Sequence, residues 1–424
     1  MKASRTFLWH DYETFGATPL LDRPAQFAAI RTDTGLEPVG EPLNWYCQPA
    51  PDVLPHPAAC LITGITPQLA LARGVVEAKF AEKIHTEMME PGTCSAGYNS
   101  IRFDDEFSRN LFYRNLIDPY EREYKNSNSR WDLIDLTRMC YALRPAGIVW
   151  PEHEPGKPSF KLEHLSTANH IEHLGAHEAL SDVMATIGLA QLIRRRQPRL
   201  FDWALKMRDQ HHVMQILNPA SPKALLHTSS RIPATRGCST LILPLSIYPD
   251  QKKSVIVYDL MIDPEPLLEL DADDISDRLF TPANDLPEGV ERIPLKTIRS
   301  NHVPMIAPAS TLKNVDCKRI GLEPQRCFDN AEKLLRVLPQ IRNKVMEVFK
   351  PYPPATCTDP DQMIYSGGFF SGQDRRLMDK IRSMTPDSLA QLSFPFKDSR
   401  LEEMLFRYRA RNFPDSLSLE AVSY

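Results

Sequence analysis

The chain has 424 residues, of which 42% are hydrophobic and 25% charged, which is the profile of an ordinary soluble globular protein with room for two or three domains. No apolar run approaches the ~20 residues that span a bilayer, which excludes a membrane-spanning helix and argues against a membrane partner. The formal net charge of −4 neither requires nor excludes a nucleic acid, so an anionic ligand would have to meet local basic clusters.

The N-terminus and the cysteines together predict a cytoplasmic protein. A strand is predicted directly after Arg5, which leaves no room for a signal peptide. None of the eight cysteines forms C-x-x-C, and their wide scatter favours reduced thiols over a zinc site or a disulfide framework.

The first half of the chain predicts an α/β domain with a mixed sheet. Runs of β-favouring residues bounded by turn residues predict strands at 6–14, 26–33, 41–48 and 93–99, the first three as an antiparallel meander. Apolar residues at helical spacing predict helices at 77–89, from 103 onward, at 132–143, 161–168 and 179–196. The Gly-, Pro- and Glu-rich segment 147–158 predicts a loop. Strands followed by alternating helices and strands indicate the α/β class.

The second half of the chain predicts two further domains. Strands at 240–247, 254–258 and 292–298, with a helix near 272–280, indicate a small strand-dominated domain. Helical spacing returns at 327–350, 374–383 and 400–411. The predicted domains are therefore 1–197, 198–350 and 351–424.

Two carboxylates, Asp11 and Glu13, stand at the end of the first predicted strand. Residues i and i+2 of a strand share a face, so the two side chains should project side by side. Their mutual repulsion suits a hard divalent cation such as Mg²⁺, which takes oxygen ligands. The plain alternative is a solvated strand end on which the acids are incidental.

Two later segments supply matching partners. Asp104 follows the strand at 93–99 and opens a helix, where a simple N-cap is the plain alternative. His177 precedes Asp182 by five residues, so the two converge only if His177 lies on the loop or first turn before the helix and Asp182 on its inner face. His170 and His173 are interpreted as residues of a solvated loop.

These motifs carry a family resemblance. D-x-E on the first strand, F-D at a helix start and H-x₄-D on a late helix resemble the DEDDh exonucleases of the ribonuclease H-like fold. Nearly the whole chain resembles the bacterial exonuclease I family in particular, in these segments: His10-Asp-Tyr-Glu-Thr-Phe-Gly16, Asp22-Arg-Pro-Ala-Gln-Phe27, Leu61-Ile-Thr-Gly-Ile-Thr-Pro67, Arg102-Phe-Asp-Asp-Glu106, Asn128-Ser-Arg-Trp-Asp132 and Tyr408-Arg-Ala-Arg-Asn-Phe-Pro414.

The resemblance implies an α/β, ribonuclease H-like exonuclease domain with a mixed sheet, followed by an SH3-like β-rich domain and a C-terminal helical domain that together clamp single-stranded DNA. The expected activity is 3′→5′ degradation of single-stranded DNA to 5′-mononucleotides, in DNA repair and recombination. The chain ends at Tyr424, so its C-terminal region is expected to be shorter than in the family, which puts processivity in doubt. The expected state is a monomer.

The expected mechanism uses two Mg²⁺ ions, for which Mn²⁺ can substitute, to activate a water and stabilise the leaving 3′-oxygen. Asp11 would bridge both ions, Glu13 and Asp182 would complete one site, and Asp104 would support the other. His177 would take the proton of the attacking water.

A path for DNA is also predicted. Aromatic and basic residues interleave between 102 and 138, as a single strand needs for stacking and phosphate contact, although about half of them are expected to be core or solvated residues. The resemblance implies substrate contacts at Glu13, Lys161, Arg109, Tyr120, Tyr124, Arg138, Lys296 and Asn301. Lys161 stands where the family has Arg, which keeps the charge but loses the bidentate fork.

The implied protein partner is single-stranded-DNA-binding protein, whose acidic C-terminal tail would contact Arg144. Two other functions stay open from the residues alone. An RNA-trimming 3′→5′ exoribonuclease of the same superfamily would need the same acids, and a non-catalytic single-strand DNA-binding protein would keep the fold. The presence of all four acids and the histidine argues against the second.

Overall fold

The computed structural model describes residues 5–173, 178–350 and 357–417. In these ranges the strands are β1 (Thr6–Thr14), β2 (Pro24–Thr32), β3 (Leu43–Tyr46), β4 (Thr93–Gly97), β5 (Ser129–Asp132), β6 (Glu152–Glu154), β7 (Lys157–Pro158), β8 (Leu225–Thr228), β9 (Ser239–Tyr248), β10 (Gln251–Asp259), β11 (Leu295–Arg299) and β12 (Met305–Pro308). The helices are α1 (Pro57–Thr63), α2 (Pro67–Arg73), α3 (Glu77–Met89), α4 (Asp104–Arg114), α5 (Leu133–Leu143), α6 (Leu162–Ala168), α7 (Ala179–Arg196), α8 (Pro198–Lys206), α9 (Gln210–Ile216), α10 (Glu265–Glu269), α11 (Ala272–Phe280), α12 (Pro324–Arg336), α13 (Leu338–Val348), α14 (Gly372–Arg382), α15 (Pro386–Ala390) and α16 (Arg400–Asn412).

The N-terminal sheet has the order β3-β2-β1-β4-β5. β1 pairs antiparallel with β2 and parallel with β4, and β2 pairs antiparallel with β3. The predicted meander and the mixed sheet are therefore confirmed, whereas α1, α2 and β5 were not predicted. β1 lies in the middle of the sheet: its first half pairs with both β2 and β4, and its second half, which carries Asp11 and Glu13, continues along β2.

The alternation of β1 divides its side chains between two faces. Leu8 and Tyr12 lie on the face that packs against α3 and α4, where they join Phe80 and Ile84 in a fully buried cluster. The opposite face begins with Phe7 and Trp9, which pack on Trp131, and continues with Asp11 and Glu13. Burial of the large apolar side chains at the start of β1 therefore fixes the register in which the two acids emerge at its end.

The C-terminal helices pack on the same core. Tyr113 and Leu116 of the α4 region lie in one apolar cluster with residues of α14 and α16, among them Met378, Leu401 and Met404. The described parts of Met1–Trp131, Glu172–Gly188 and Pro354–Tyr424 form one compact unit. The C-terminal segment thus packs directly against the helix that begins with Asp104.

The second compact unit comprises the described parts of Asp132–Ile171 and Leu189–Pro353. Its sheet has the order β11-β10-β9-β8-β12, and every pair in it is antiparallel. The strands predicted near β9, β10 and β11 and the helix predicted near α11 are confirmed. β8 and β12 are four residues each, too short for a clear alternation, and they were missed together with α8, α9 and α10. The helix predicted at 327–350 begins earlier and is interrupted at Val337.

The segment 147–158 is not the plain loop that its composition predicted. β6 and β7 pair antiparallel as a short hairpin, and Gly156 occupies the turn with a φ of 75°. A glycine adopts this left-handed conformation without the steric cost that a side chain would add. The same Gly- and Pro-rich composition therefore supports a tight hairpin turn.

None of the described helices combines the length and the apolar character that crossing a membrane requires.

A buried ion pair fixes α4 relative to α3. Arg114, at the end of α4, donates two hydrogen bonds to Glu77, with Nε–Oε1 and Nη2–Oε2 distances of 2.8 and 2.9 Å. Burial alone would raise the pKa of Glu77, but Arg114 and Arg23 lower it to about 2. This folded-state pKa of Glu77 lies below its pKa in the unfolded chain, which is about 4.3. The ion pair therefore stabilises the fold fully above about pH 4.3, and the stabilisation is lost as the pH falls through 2.

We expect Arg114→Met to lower the free energy of unfolding by about 3–5 kcal/mol, because it leaves the Glu77 carboxylate buried without its main partner. Lys79→Met is the control, since it breaks the exposed Lys79–Glu82 pair and should cost less than about 1 kcal/mol. Urea unfolding at pH 7 measures both. The difference in free energy of unfolding between Arg114→Met and the parent should become smaller as the pH falls from 5 toward 2. Equal losses for the two variants would contradict a structural role of the buried pair.

Candidate active site

Three carboxylates converge beside the end of β1. Asp11 and Glu13 lie two residues apart on one face of β1, and Asp182 comes from the first turn of α7. One oxygen from each of the three lies within 4.8 Å of the others. The predicted proximity of these three acids is therefore a feature of the structure.

The pKa values of Asp11 and Glu13 indicate that a cation would stabilise the ionised forms of these clustered acids. Burial and the charges of Asp104, Glu13 and Asp182 raise the pKa of Asp11 well above its usual value. Burial, Asp182 and Glu178 raise the pKa of Glu13 to about 8. The neighbouring charges that act most on both groups are therefore other carboxylates. Clustered, partly buried carboxylate oxygens that repel one another fit a hard divalent cation, which would hold Asp11, Glu13 and Asp182 together in their ionised forms.

Asp104 lies beside this group and is tied to β1. Its Oδ1 accepts a hydrogen bond from the backbone N–H of Tyr12 at 3.0 Å, and Tyr12 is the residue between Asp11 and Glu13. The end of β4, at Gly97, also lies close to β1. A Cβ on Gly97 would lie 2.9 Å from the carbonyl oxygen of His10, so only glycine allows β4 to pass so close to β1.

The neighbouring Asp105 has the opposite environment. It accepts hydrogen bonds from Arg122 at 2.5 Å and from Arg130 at 2.8 Å, and all three side chains are buried. Burial would raise the pKa of Asp105, but the two guanidinium groups lower it. This network anchors the first turn of α4, and the sequence analysis assigned Asp105 no role.

The histidines depart from the sequence interpretation. His177 lies outside the described residues, so its predicted role stays a prediction. His173 was interpreted as a residue of a solvated loop, and this is wrong: its side chain is 6% exposed and its Nε2 lies 2.6 Å from Oδ1 of Asp182. The two residues are nine positions apart, a spacing that matches no single helix or strand period, which is why the sequence pattern did not reveal the contact.

The predicted DNA-contacting residues of the first compact unit lie in two different settings. Arg109 is buried and paired with Glu106 and Glu123, and its guanidinium lies over the ring of Tyr120 at 5.4 Å. The guanidinium of Arg109 thus already has two carboxylate partners. Its direct contact with a DNA phosphate stays a prediction. Tyr124, by contrast, is 63% exposed.

An exposed aromatic residue of the C-terminal segment lies beside Tyr120. Phe369 is 86% exposed and meets Tyr120 edge to face, with ring centroids 5.9 Å apart. Sequence reasoning missed Phe369 because it lies about 250 residues from Tyr120 in the chain. Its only local signal was the apolar pair Phe369-Phe370 in a Gly-rich segment.

The remaining predicted residues belong to the second compact unit. Arg138 pairs with Asp135 at 2.5 Å, Lys161 is 70% exposed and lies 3.5 Å from Glu163, and Lys296 lies 3.9 Å from Asp259. Burial lowers the pKa of Lys296, an effect that Asp259 opposes. Arg144 donates to the carbonyl oxygens of Leu143 and Thr311. Asn301 is partly buried in the turn after β11.

The sequence matches three protein families along its length. Residues 8–190 match the exonuclease family, residues 208–351 the exonuclease I SH3-like domain and residues 358–422 the exonuclease I C-terminal domain. Exodeoxyribonuclease I of Escherichia coli is 49% identical over 417 residues, which cover 98% of this chain and 87% of the relative.

Solved structures agree with these matches. E. coli exonuclease I in complex with a dA16 oligonucleotide superposes with a TM-score of 0.96 at 48% identity, covering 99% of this chain and 89% of that one. The zinc-bound form of the E. coli complex with single-stranded DNA has a TM-score of 0.94 at 48% identity, with the same coverage.

We expect a divalent cation to raise the unfolding temperature more at pH 8.5 than at pH 6. Because the pKa of Glu13 is raised to about 8, its neutral form stabilises the cation-free fold below its unfolded pKa, and this stabilisation is lost as the pH rises through 8. At pH 6 the cation must displace the proton of Glu13. This weakens the apparent affinity of the site for the cation by about 100-fold. Calorimetry at a fixed, sub-saturating Mn²⁺ concentration measures the shift against EDTA. Asp182→Asn should remove it, and equal shifts at both pH values would contradict the assignment.

Proposed function

This chain belongs to the exonuclease I family, and from that membership we propose that its acidic cluster hydrolyses DNA with two Mg²⁺ ions, for which Mn²⁺ can substitute. The chain is an exodeoxyribonuclease that degrades single-stranded DNA in the 3′→5′ direction, with an exonuclease domain, an SH3-like domain and a C-terminal domain in that order. The observation that carries the metal proposal is the approach of three carboxylate oxygens to within 4.8 Å of one another.

In this proposal Asp11, Glu13 and Asp182 would hold the cations, with Asp11 shared between them, and Asp104 would support the second one. When bound, the cations would supply Lewis acidity for the attacking water and for the leaving 3′-oxygen. The hydrogen bond from Tyr12 N–H to Asp104 orients that carboxylate toward the end of β1. His177 would take the proton of the attacking water, because a histidine side chain can accept and release protons at physiological pH.

An aromatic surface in the first compact unit would hold the unpaired bases. Tyr120, Tyr124 and Phe369 expose ring surface, and base stacking on aromatic rings tolerates any sequence. Arg109 lies beneath Tyr120, where its paired guanidinium supports the ring. We therefore assign Arg109 to positioning of Tyr120 as well as to the predicted DNA contact.

Phosphate contacts are proposed for basic and polar residues of the second compact unit: Arg138, Lys161, Lys296 and Asn301. The ammonium group of Lys161 is exposed and supplies a positive charge for a phosphate. It lacks the planar guanidinium with which an Arg binds two phosphate oxygens at once. A Lys161→Arg variant should therefore bind a strand's 3′ end at least as tightly as the parent, and a weaker binding in a filter assay would argue against a phosphate contact here.

The partner and the cellular setting are also proposals. Arg144 is proposed to bind the acidic C-terminal tail of single-stranded-DNA-binding protein. Fluorescence anisotropy with a tail peptide tests this, and unchanged affinity in Arg144→Ala would refute it. The eight described cysteines are all free, which supports a reducing, cytoplasmic compartment. The protein is proposed to act as a monomer in DNA repair and recombination.

Two substitutions separate the metal ligands from the proton acceptor. Asp11→Asn should abolish cleavage of a 5′-labelled single strand, while binding of that strand in EDTA survives, because the stacking surface is unaffected. His177→Asn should lower the rate by about 10²–10⁴-fold but leave the cation-induced rise in unfolding temperature intact, because His177 is not a ligand. Near-normal turnover of Asp11→Asn would refute the metal site, and loss of the thermal shift in His177→Asn would make that residue a ligand.

The aromatic surface makes a separate prediction about binding. Phe369→Ala and Tyr120→Ala should each weaken single-strand affinity by about 1–3 kcal/mol, measured by anisotropy in EDTA, if each ring stacks on one base. The salt dependence of binding should stay the same, because neither substitution removes a positively charged side chain that contacts phosphate. Phe328→Ala, at another exposed aromatic residue, is the control and should bind as the parent does. Unchanged affinity in both test variants would exclude this surface from the DNA path.

A further inference from the structure

The contact between His173 and Asp182 has no place in the mechanism described so far. Asp182 is one of the three clustered acids, and its Oδ1 lies 2.6 Å from Nε2 of His173. The His173 side chain is almost fully enclosed, whereas Asp182 is more accessible at 18%. The histidine is therefore the more deeply buried partner of this contact.

This arrangement restricts how the carboxylate can turn. An aspartate carboxylate has a broad torsion about its last bond, so neither oxygen has a preferred direction unless a partner supplies one. A buried N–H that lost its acceptor would incur the full cost of desolvation, so the hydrogen bond resists rotation of Asp182. Metal-ligating carboxylates are commonly oriented by such outer partners.

We propose that His173 is a positioning residue, which donates its Nε2–H to Asp182 and orients that carboxylate toward the cation site. The inference rests on the proposed function, because it requires Asp182 to be a metal ligand. It gives His173 no part in proton transfer, which stays with His177. It predicts that loss of the hydrogen bond weakens cation binding before any DNA is present.

The experiment measures Mn²⁺ binding to the full chain without DNA, by calorimetry and by the electron paramagnetic resonance signal of the bound ion. His173→Ala should weaken Mn²⁺ binding by about 10–100-fold. His173→Gln should restore most of the affinity, because its amide N–H can occupy the position of Nε2. In turnover assays the Mn²⁺ concentration for half-maximal rate should rise in His173→Ala, while the rate at saturating Mn²⁺ stays near that of the parent.

Two controls keep the test decisive. His170→Asn changes an exposed histidine three residues earlier and should bind Mn²⁺ normally, and its asparagine tolerates the φ of 55° found there. If His173→Ala fails to fold, His173→Asn replaces it, since its shorter amide keeps a polar group but does not reach Oδ1.

The possible results lead to different conclusions. Parent-like Mn²⁺ affinity in folded His173→Ala, or in His173→Asn, would overturn the positioning role and leave the metal site standing. Equal weakening in His173→Gln and His173→Ala would also overturn it, because a structural contact alone would then explain both. If the parent bound no Mn²⁺, or Asp182→Asn bound it as tightly as the parent, the proposed metal site would itself be refuted, and the positioning role with it.

Discussion

The repulsion among three clustered, partly buried carboxylates is the physical constraint on which this site depends. Asp11, Glu13 and Asp182 present oxygens within 4.8 Å of one another, which costs free energy in the absence of a cation. The central position of β1, paired on both sides and packed through Leu8 and Trp9, supplies the rigidity that holds the acids in place. The fold is therefore stabilised away from the site, while burial and the neighbouring acids raise the pKa values of Asp11 and Glu13, an arrangement that suits the proposed cation.

Two adjacent aspartates show how the structure separates an acid that anchors a helix from one that faces the acidic cluster. Asp105 is neutralised by Arg122 and Arg130, and its pKa falls. Asp104, its neighbour in the chain, instead accepts from the backbone of β1 and adds to the charge that raises the pKa of Asp11. The first turn of α4 is thus anchored by one carboxylate so that the other can face the acidic cluster.

The C-terminal segment contributes to the same positioning. Asn412, near the end of α16, accepts a hydrogen bond from the backbone of Ala78 at the start of α3, and its amide contacts Asn115 at the end of α4. Together with the Arg114–Glu77 pair, this links both helices that flank the sheet. The segment Tyr408–Pro414, which contributed to the family resemblance, therefore has a structural role in holding α3 and α4.

The sequence by itself predicted most strands and helices of the N-terminal domain through local periodicity, although α1, α2 and β5 gave no clear signal. Its short motifs singled out the acids Asp11, Glu13, Asp104 and Asp182, and the resemblance of those motifs to a known family predicted the exonuclease class. Tertiary structure decided which charges meet. The pairing of Arg109 with Glu123, the contact of His173 with Asp182, and the pairing of Phe369 with Tyr120 all join residues at spacings that no helix or strand period predicts. Electrostatic and stacking energies depend on distances in space, and those distances are set only when the elements pack.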